Sequence, residues 1–463
     1  MLTHSSATHS LGQSKTSYPA KDVEKWPESK YFYLFLLFVF VMPLWPNYAV
    51  LNFGGLPNLA PDRLLRASLF FGLIFISFSK SKAVKILKAR ISENWVMTVM
   101  LFAYYGIRIV SAFFSSDAII QLNIFFRTDF LVSLPVYFFA LLAIKDKNSV
   151  RKVFIALTLS SAISSLLALF EFSQQKNIFA SLIPVTSDYT LGLFIDKTRD
   201  SVYRAQGTFE HPILLGQFFM LMLPVIWGLF KASHKLTHSI FYASCGALAL
   251  AAIYVSGSRA AQGLSLLIII AIGFWEIYAW TKSSRNRVLQ YLVISQMPIP
   301  IFSALAAIYA YKESALGSTR ETMSSTNARF DMLTGGFPKI FEAPIGGHGL
   351  GETMSVFSFA GRAGMRTLDN YYLLIALESG FLAPVLLMIV LFLAAPPFKQ
   401  LFALATPHVA RQLVACFLAM VTYFFQMSIH SLSQQMWLIL VLAGCSVVLI
   451  EKSENGNSLG RNW

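Results

Sequence analysis

Long apolar runs separated by short polar segments recur along nearly the whole chain, beginning with YFYLFLLFVFVMPLW from Tyr31. About 20 apolar residues, at roughly 1.5 Å of helical rise each, cross the hydrocarbon core of a bilayer. The pattern predicts spans near residues 31–50, 64–79, 95–114, 124–144, 152–172, 209–230, 239–256, 264–280, 289–311, 371–395, 412–427 and 434–450. The fold class that follows is all-α: a polytopic transmembrane helical bundle of about 12 spans, with a large outer loop containing amphipathic helices. The chain divides into a polar tail (1–30), a first bundle (31–172), an outer loop (173–208), further spans (209–311), the large outer loop (312–370), the last spans (371–450) and a second tail (451–463).

Charge orients this array. The connectors KSKAVKILKAR from Lys80, KDKNSVRK from Lys145, KASHKLTH from Lys231, TKSSRNR from Thr281 and the Lys399–Arg411 stretch all fall on one side. Cytoplasmic loops carry an excess of Lys and Arg, so this side and both termini are expected to be cytoplasmic. The opposing short connectors, Ser115–Gln121 and Ile429–Gln435, contain no Lys or Arg. The two long outer loops do contain basic residues, but long translocated segments escape the rule.

Of 463 residues, 56% are hydrophobic and 13% charged, which excludes a soluble domain. The net charge of +14 belongs mostly to the cytoplasmic collar facing an anionic leaflet, and implies no nucleic-acid partner. The polar first 30 residues carry no apolar region followed by a small-residue cleavage site, so the expectation is no removable signal. Cys245, Cys416 and Cys445 fall inside spans, as packing residues. No metal or nucleotide motif is present, and neither a metal nor another cofactor is expected.

Four segments carry candidate chemistry, all on the outer face in this topology. In YRAQGTFEHPILLGQF (Tyr203–Phe218), Gly207 and Pro212 bracket a turn, and a helix is expected to start at about Pro212. Arg204 beside that helix N-terminus suits a phosphate, or else snorkels to lipid headgroups. In VSGSRAAQG (Val255–Gly263), Arg259 stands on a tight reversal, against the charge bias of an outer loop.

The third segment, STNARFDMLTGGFPKIFEAPIGGHGLGET (Ser325–Thr353), repeats Phe330, Leu333, Phe337 and Phe341 at helical spacing. This predicts an amphipathic surface helix, bent or interrupted at Gly335, Gly336 and Pro338, with Arg329 and Asp331 off the apolar stripe. The cluster Gly346, Gly347, Gly349 and Gly351 follows no strand, so a turn allowing close backbone approach fits better than a nucleotide loop. In the fourth, RTLDNYYLLIALESGFLAP (Arg366–Pro384), Asp369 and Asn370 stand at a helix start, where both residue types serve as caps. Asp369 also offers an acceptor to the outer cleft. Glu378 is an intramembrane carboxylate, either functional or paired with a base. The other intramembrane charges are Arg108, Glu171 and Glu276; snorkelling explains Glu171, while Arg108 is a candidate to contact a ligand from within a groove.

RAQGTFEHPILLG, GSRAAQG, ARFDMLTGGFPKIFEAPIGGHGLG and DNYYLLIALESGFLAP, in this order across about residues 200–390, resemble the O-antigen ligase and Wzy-type polysaccharide polymerase superfamily. The resemblance implies a glycosyltransferase of a bacterial inner membrane that needs neither metal nor nucleotide. Its donor would be an undecaprenyl-diphosphate-linked oligosaccharide, and its acceptor another glycan or a lipid A core. A chain-length regulator and a flippase of the same pathway would be its partners. By position, Arg204 and Arg259 match the diphosphate-binding arginines and Arg329 the arginine of the loop helix, with Asn370 and Glu378 also at the substrate site. Where many members read His-Asn, this chain reads Asp369-Asn370. That departure names Asp369 as first candidate base and His348 as second, with His211 also in the first motif. It also favours an exopolysaccharide or O-antigen polymerase over a ligase. A flippase or transporter is the competing class, but the chain shows no internal repeat and its sixth connector, near Lys231–His238, is short.

Overall fold

The computed structural model describes residues 30–46, 48–49, 61–79, 82–182, 198, 202–283, 288, 291–292, 295, 320–357, 359–360, 366–403 and 407–459. Among these the fold is helical apart from one antiparallel ladder of two residues per strand, Phe359–Ala360 with Arg366–Thr367. The helices are α1 (Lys30–Val41), α2 (Pro61–Phe78), α3 (Lys82–Glu93), α4 (Trp95–Ala112), α5 (Ala118–Phe125), α6 (Leu131–Ala143) and α7 (Lys147–Gln174). They continue with α8 (Pro212–Lys231), α9 (Leu236–Val255), α10 (Arg259–Ser283), α11 (Arg320–Ile340), α12 (Thr353–Val356) and α13 (Tyr371–Ser379). The last four are α14 (Leu382–Ala394), α15 (Phe398–Ala403), α16 (Pro407–Gln426) and α17 (Met436–Leu459).

Eight helical stretches among the described residues are long and apolar enough to cross a membrane: Trp95–Ala112, Ala118–Ala143, Lys147–Gln174, Pro212–Lys231, Leu236–Val255, Arg259–Lys282, Leu382–Leu401 and His408–Gln426. Seven of them match expected spans, and Leu382–Leu401 overlaps only residues 382–395 of the one expected at 371–395. The bent pair Pro61–Phe78 and Lys82–Glu93, angled at 101°, gives a ninth if counted as one crossing. Lys30–Val41 and Met436–Glu451 are shorter apolar helices, and most of the expected span at 289–311 lies outside the described residues.

Local chemistry sets where these helices begin. Asp117 and Asp146 accept hydrogen bonds from the Ile120 and Ser149 amides (3.0 and 2.7 Å), satisfying donors that the first helical turn leaves unpaired. Pro212 occupies the first position of α8, as expected, and the His211 ring caps it by accepting from the Ile213 amide at 3.1 Å. A π-helical turn, Phe126–Phe130, joins α5 to α6 without breaking the run.

The bundle is organised around α8. Its span is 89% buried, whereas those of α9 and α10 are 28% and 22% buried, leaving their apolar side chains facing outward. The central helix packs against α7, α9, α10 and α16; α17 lies on α6 and α16, and α4 lies on α14.

Basic residues gather at one end. Glu276 near the end of α10 pairs with Arg411 at 3.0 Å and with Lys231 at 3.4 Å. Buried Arg90 donates to the Leu141 carbonyl at 2.6 Å and to the Ile144 carbonyl, and meets Glu451 at 3.4 Å. A cation there complements the negative end of the α6 dipole. The opposite end gathers the four segments singled out in the sequence.

The expected span at 371–395 is not one continuous helix. It breaks at Gly380, whose φ of +79° is open to glycine and costly for other residues. A Cβ there would lie 2.6 Å from the Pro344 carbonyl oxygen. A broken helix in an apolar setting must have its freed carbonyls satisfied. The Leu377 carbonyl accepts from the His348 amide at 2.8 Å, and the Glu378 carbonyl accepts from the Gly349 amide at 3.0 Å and from the Ser111 hydroxyl. The glycine turn therefore docks on the protein's own backbone at the helix break.

Candidate functional site

The first two motifs meet. The Ala205 amide donates to the Val255 carbonyl at 3.0 Å, and the Arg204 Nε donates to the Ser256 carbonyl at 3.0 Å. Gly257 sits at the crest of this turn with φ +58°, and a Cβ there would fall 2.9 Å from Arg204 Cγ and 3.0 Å from its Nε. The arginine stem thus lies flat over a position that only glycine leaves open. Arg259, two residues on, begins α10, so its guanidinium adds to the positive end of that helix. Gly257→Ala is expected to displace Arg204 and to cost about 1–3 kcal/mol through the left-handed backbone and the clash. Thermal unfolding in detergent alongside a transfer assay checks this; unchanged stability and activity would contradict the close approach.

Glu171 holds this loop from below. Instead of snorkelling it is fully buried. It accepts from the Gln206 and Gly207 amides, each at 2.9 Å, and from the Tyr203 hydroxyl at 3.0 Å. Tyr48 adds a bond to the Gly207 carbonyl at 2.8 Å, and Thr208 one to the Pro43 carbonyl at 2.7 Å. A carboxylate that receives three donors is an anchor, and it explains why a loop can lie this deep.

The third and fourth motifs also meet. Helix α11 runs unbroken through Gly335 and Gly336 to Ile340. Those glycines are contact points: a Cβ at Gly336 would lie 2.9 Å from Leu373 Cδ2, and one at Gly335 would lie 2.9 Å from the Phe357 ring. Met332 and Ile340 pack with Leu368, Leu373 and Leu377, while Phe330, Leu333, Phe337 and Phe341 face outward. On the packed side Arg329 Nε lies 3.4 Å from Asp369 Oδ2, both half-exposed, so Arg329 pairs with Asp369 and not with a neighbour on its own helix. Asn370 takes the cap, accepting from the Leu373 amide at 2.9 Å, which leaves the capping role of this pair to Asn370 alone.

His348 is half-buried in the glycine turn, its Nε2 2.9 Å from the Lys339 carbonyl oxygen. A carbonyl only accepts, so Nε2 carries a proton, and in the neutral ring Nδ1 is the acceptor nitrogen. Gly347, Gly349 and Gly351 all have positive φ. A Cβ at Gly349 would come within 2.6 Å of the Ser115 nitrogen. Glu378 is engaged by Arg108 at 2.7 Å and by the Gly351 amide at 3.0 Å, which ties the turn to α4. Beside it the Ser116 hydroxyl and amide, with Ser355, hold the Glu352 carboxyl below its ordinary range.

Three residues of this end give no signal in the sequence pattern. Glu210 accepts from Gln434 Nε2 at 2.6 Å, linking the first motif to the 427–435 turn. Tyr371 donates its amide to the Met427 carbonyl at 2.9 Å, linking the fourth motif to the same turn. His430, inside that turn, is 2% exposed. Burial, and then the Arg329 charge, push its imidazole down to about 3, so it is neutral. Among the described residues no group of three or more His, Cys, Asp or Glu side chains could hold a metal ion. The sequence matches no model of a known protein family and no curated protein.

Proposed function

We propose that this protein is an integral-membrane glycosyltransferase that moves glycan from an undecaprenyl-diphosphate carrier to an acceptor hydroxyl, as a polysaccharide polymerase of the Wzy type. The observation that carries the reading is the pairing of motifs at one end of the bundle. The Arg204 loop packs on the Ser256–Arg259 turn, and Arg329 is held against Asp369. Two outward arginines suit a diphosphate, whose oxygens a guanidinium can grip in bidentate fashion.

In the proposed reaction a base takes the acceptor hydroxyl proton, and the oxygen forms a bond to the anomeric carbon. The bond from that carbon to the phosphate oxygen breaks, and undecaprenyl diphosphate leaves with the electron pair. Arg204 and Arg259 would stabilise the charge growing on the leaving diphosphate, often the largest catalytic term. Asp369, the carboxylate that is not used as a cap, is the first candidate base, and His348 through Nδ1 is the second. The topology that accompanies this reading has 12 spans, both termini cytoplasmic and the site on the outer face of a bacterial inner membrane. A ligase with a lipid A core acceptor would use the same donor chemistry.

Deleting the gene and sizing the surface polysaccharide tests the reading. Single repeat units indicate a polymerase, long chains retained on the carrier a ligase, and an unaltered polysaccharide refutes both. Within the site, Asp369→Asn is expected to remove nearly all transfer, because an amide takes no proton at neutral pH. Since Asn370 is the cap, protein level should be unaffected. An active Asp369→Asn beside an inactive His348→Ala would move the role to the histidine.

A further inference from the structure

The 427–435 turn joins α16 to α17 and touches both halves of the site, yet the proposed reaction assigns it nothing. It accepts from the Tyr371 amide through Met427 and reaches Glu210 through Gln434. The turn and the ends of α8 and α16 nearest it carry four buried polar side chains, Gln217, Gln426, His430 and Gln435, none more than 2% exposed. Among the described residues, both amide atoms of Gln217 and of Gln426, Nε2 of His430 and Oε1 of Gln435 have no hydrogen-bond partner. Buried polar groups are normally paired, so a group of unpaired ones calls for an explanation.

The two glutamines on helices lie at one level of the bundle. Lys231 at the end of α8 and Arg411 near the start of α16 share Glu276, so the two helices run antiparallel. A Cβ at Gly228 would lie 3.4 Å from Ala415 Cβ, which sets the register. Eleven residues separate Gly228 from Gln217 (228 − 217) and Ala415 from Gln426 (426 − 415). Eleven residues is about three turns at 3.6 residues per turn, a step of about 16.5 Å that returns to the same helix face. This register puts Gln217 and Gln426 at about the same level, toward the site end of the α8–α16 interface, with Gln426 four residues of chain before His430.

The chemistry of the group is specific. His430 Nδ1 accepts from the Leu432 amide at 3.2 Å, which places the ring proton on Nε2 as a donor. Its neutrality and the two amides give a set with donors and acceptors and no net charge. Such a set suits hydroxyl groups, each of which donates and accepts; a diphosphate would seek the arginines. We infer that Gln217, Gln426 and His430 form a recognition pocket for carbohydrate hydroxyls, separate from the arginines that would hold the diphosphate. This inference rests on the proposed function and deepens it: the residues would choose the sugar.

The test uses the full chain in lipid nanodiscs with two probes. One is undecaprenyl diphosphate; the other is the lipid-linked oligosaccharide extracted from cells lacking the gene. Wild-type protein should bind both, the glycan-bearing lipid more tightly. Gln217→Leu and Gln426→Leu should bind undecaprenyl diphosphate as wild type does and lose about tenfold in affinity for the glycan-bearing lipid, the scale of one or two hydrogen bonds. Their melting temperatures without ligand should be no lower than wild type, because leucine replaces an unpaired amide with an apolar group. His430→Asn keeps an acceptor toward the Leu432 amide and removes the Nε2 donor, and carries the same test should the leucine variants fold poorly. An undiminished preference for the glycan-bearing lipid in these variants overturns the pocket and leaves the proposed function standing. Wild-type protein that binds neither lipid overturns the function itself.

Discussion

Glu378→Leu should destabilise the protein by about 3–5 kcal/mol, the cost of leaving a buried cation without its partner. Arg108 and Glu378 meet at 2.7 Å with side chains 5% and 9% exposed, and their positions lie 270 residues apart in sequence. Removing the carboxylate leaves the buried Arg108 guanidinium with the Ser379 hydroxyl at 3.5 Å and the Phe125 ring at 5.7 Å in place of a counter-charge, and also removes the acceptor of the Gly351 amide. Arg108→Met should cost a similar amount. The double variant Arg108→Met/Glu378→Leu should recover most of the loss, since exchanging both charges for apolar groups of similar size is often neutral. Unfolding of all three in detergent, followed by tryptophan fluorescence and by the amount of protein retained in the membrane, measures this. A single variant as stable as wild type, or a double variant no better than the singles, would contradict the pairing.

Arg259→Ala and Arg204→Ala should each lower transfer by about 10²–10³-fold, the range seen when one preorganised donor to a developing oxyanion is removed. The protein should remain in the membrane at its normal level. Lysine at either site should restore activity only in part, because an ammonium is a point charge without the planar fork of a guanidinium. For Arg204 the lysine also loses the Nε bond to the Ser256 carbonyl, so its rescue should be the weaker of the two. Gel sizing of the polysaccharide against immunoblots of the membrane fraction separates the outcomes. Wild-type chain lengths in both alanine variants would remove the diphosphate assignment, and loss of the protein itself would make the arginines structural.

The residues differ in how plainly the sequence announces their roles. Apolar runs are local signals, and seven of the eight long helices coincide with expected spans because length and composition suffice to specify them. Pro212 and Asn370 were equally legible, since first-turn proline and side-chain caps act within a few residues. The pairings were not. Arg108 with Glu378, Arg329 with Asp369, and Glu171 with the Gln206 and Gly207 amides join residues whose separation leaves no periodic trace. Glu171 shows the cost: an acidic residue near a span's end looks the same in sequence whether it reaches outward or is buried against backbone donors. The break at Gly380 was hidden by the apolar residues on both sides, which continue the hydropathy of a single span. The buried His430 Nε2 and Gln426 amide were invisible because having no partner among the described residues is a property of three-dimensional surroundings alone.

The glycine turn has a consequence for how this chain can change length. Gly347 and Gly349 each combine a left-handed backbone with neighbouring main chain too close for any side chain, Gly380 repeats the combination across the helix break, and Gly351 shares the left-handed backbone. Deleting one residue among Ala343, Pro344 and Ile345 would bring His348, Leu350 and Glu352 to the places of Gly347, Gly349 and Gly351. The amides that close the Leu377 and Glu378 carbonyls would also fall out of step. Changes of length are therefore expected to be tolerated only outside this turn, where the spacing of Gly347, Gly349 and Gly351 matters as much as the residues themselves.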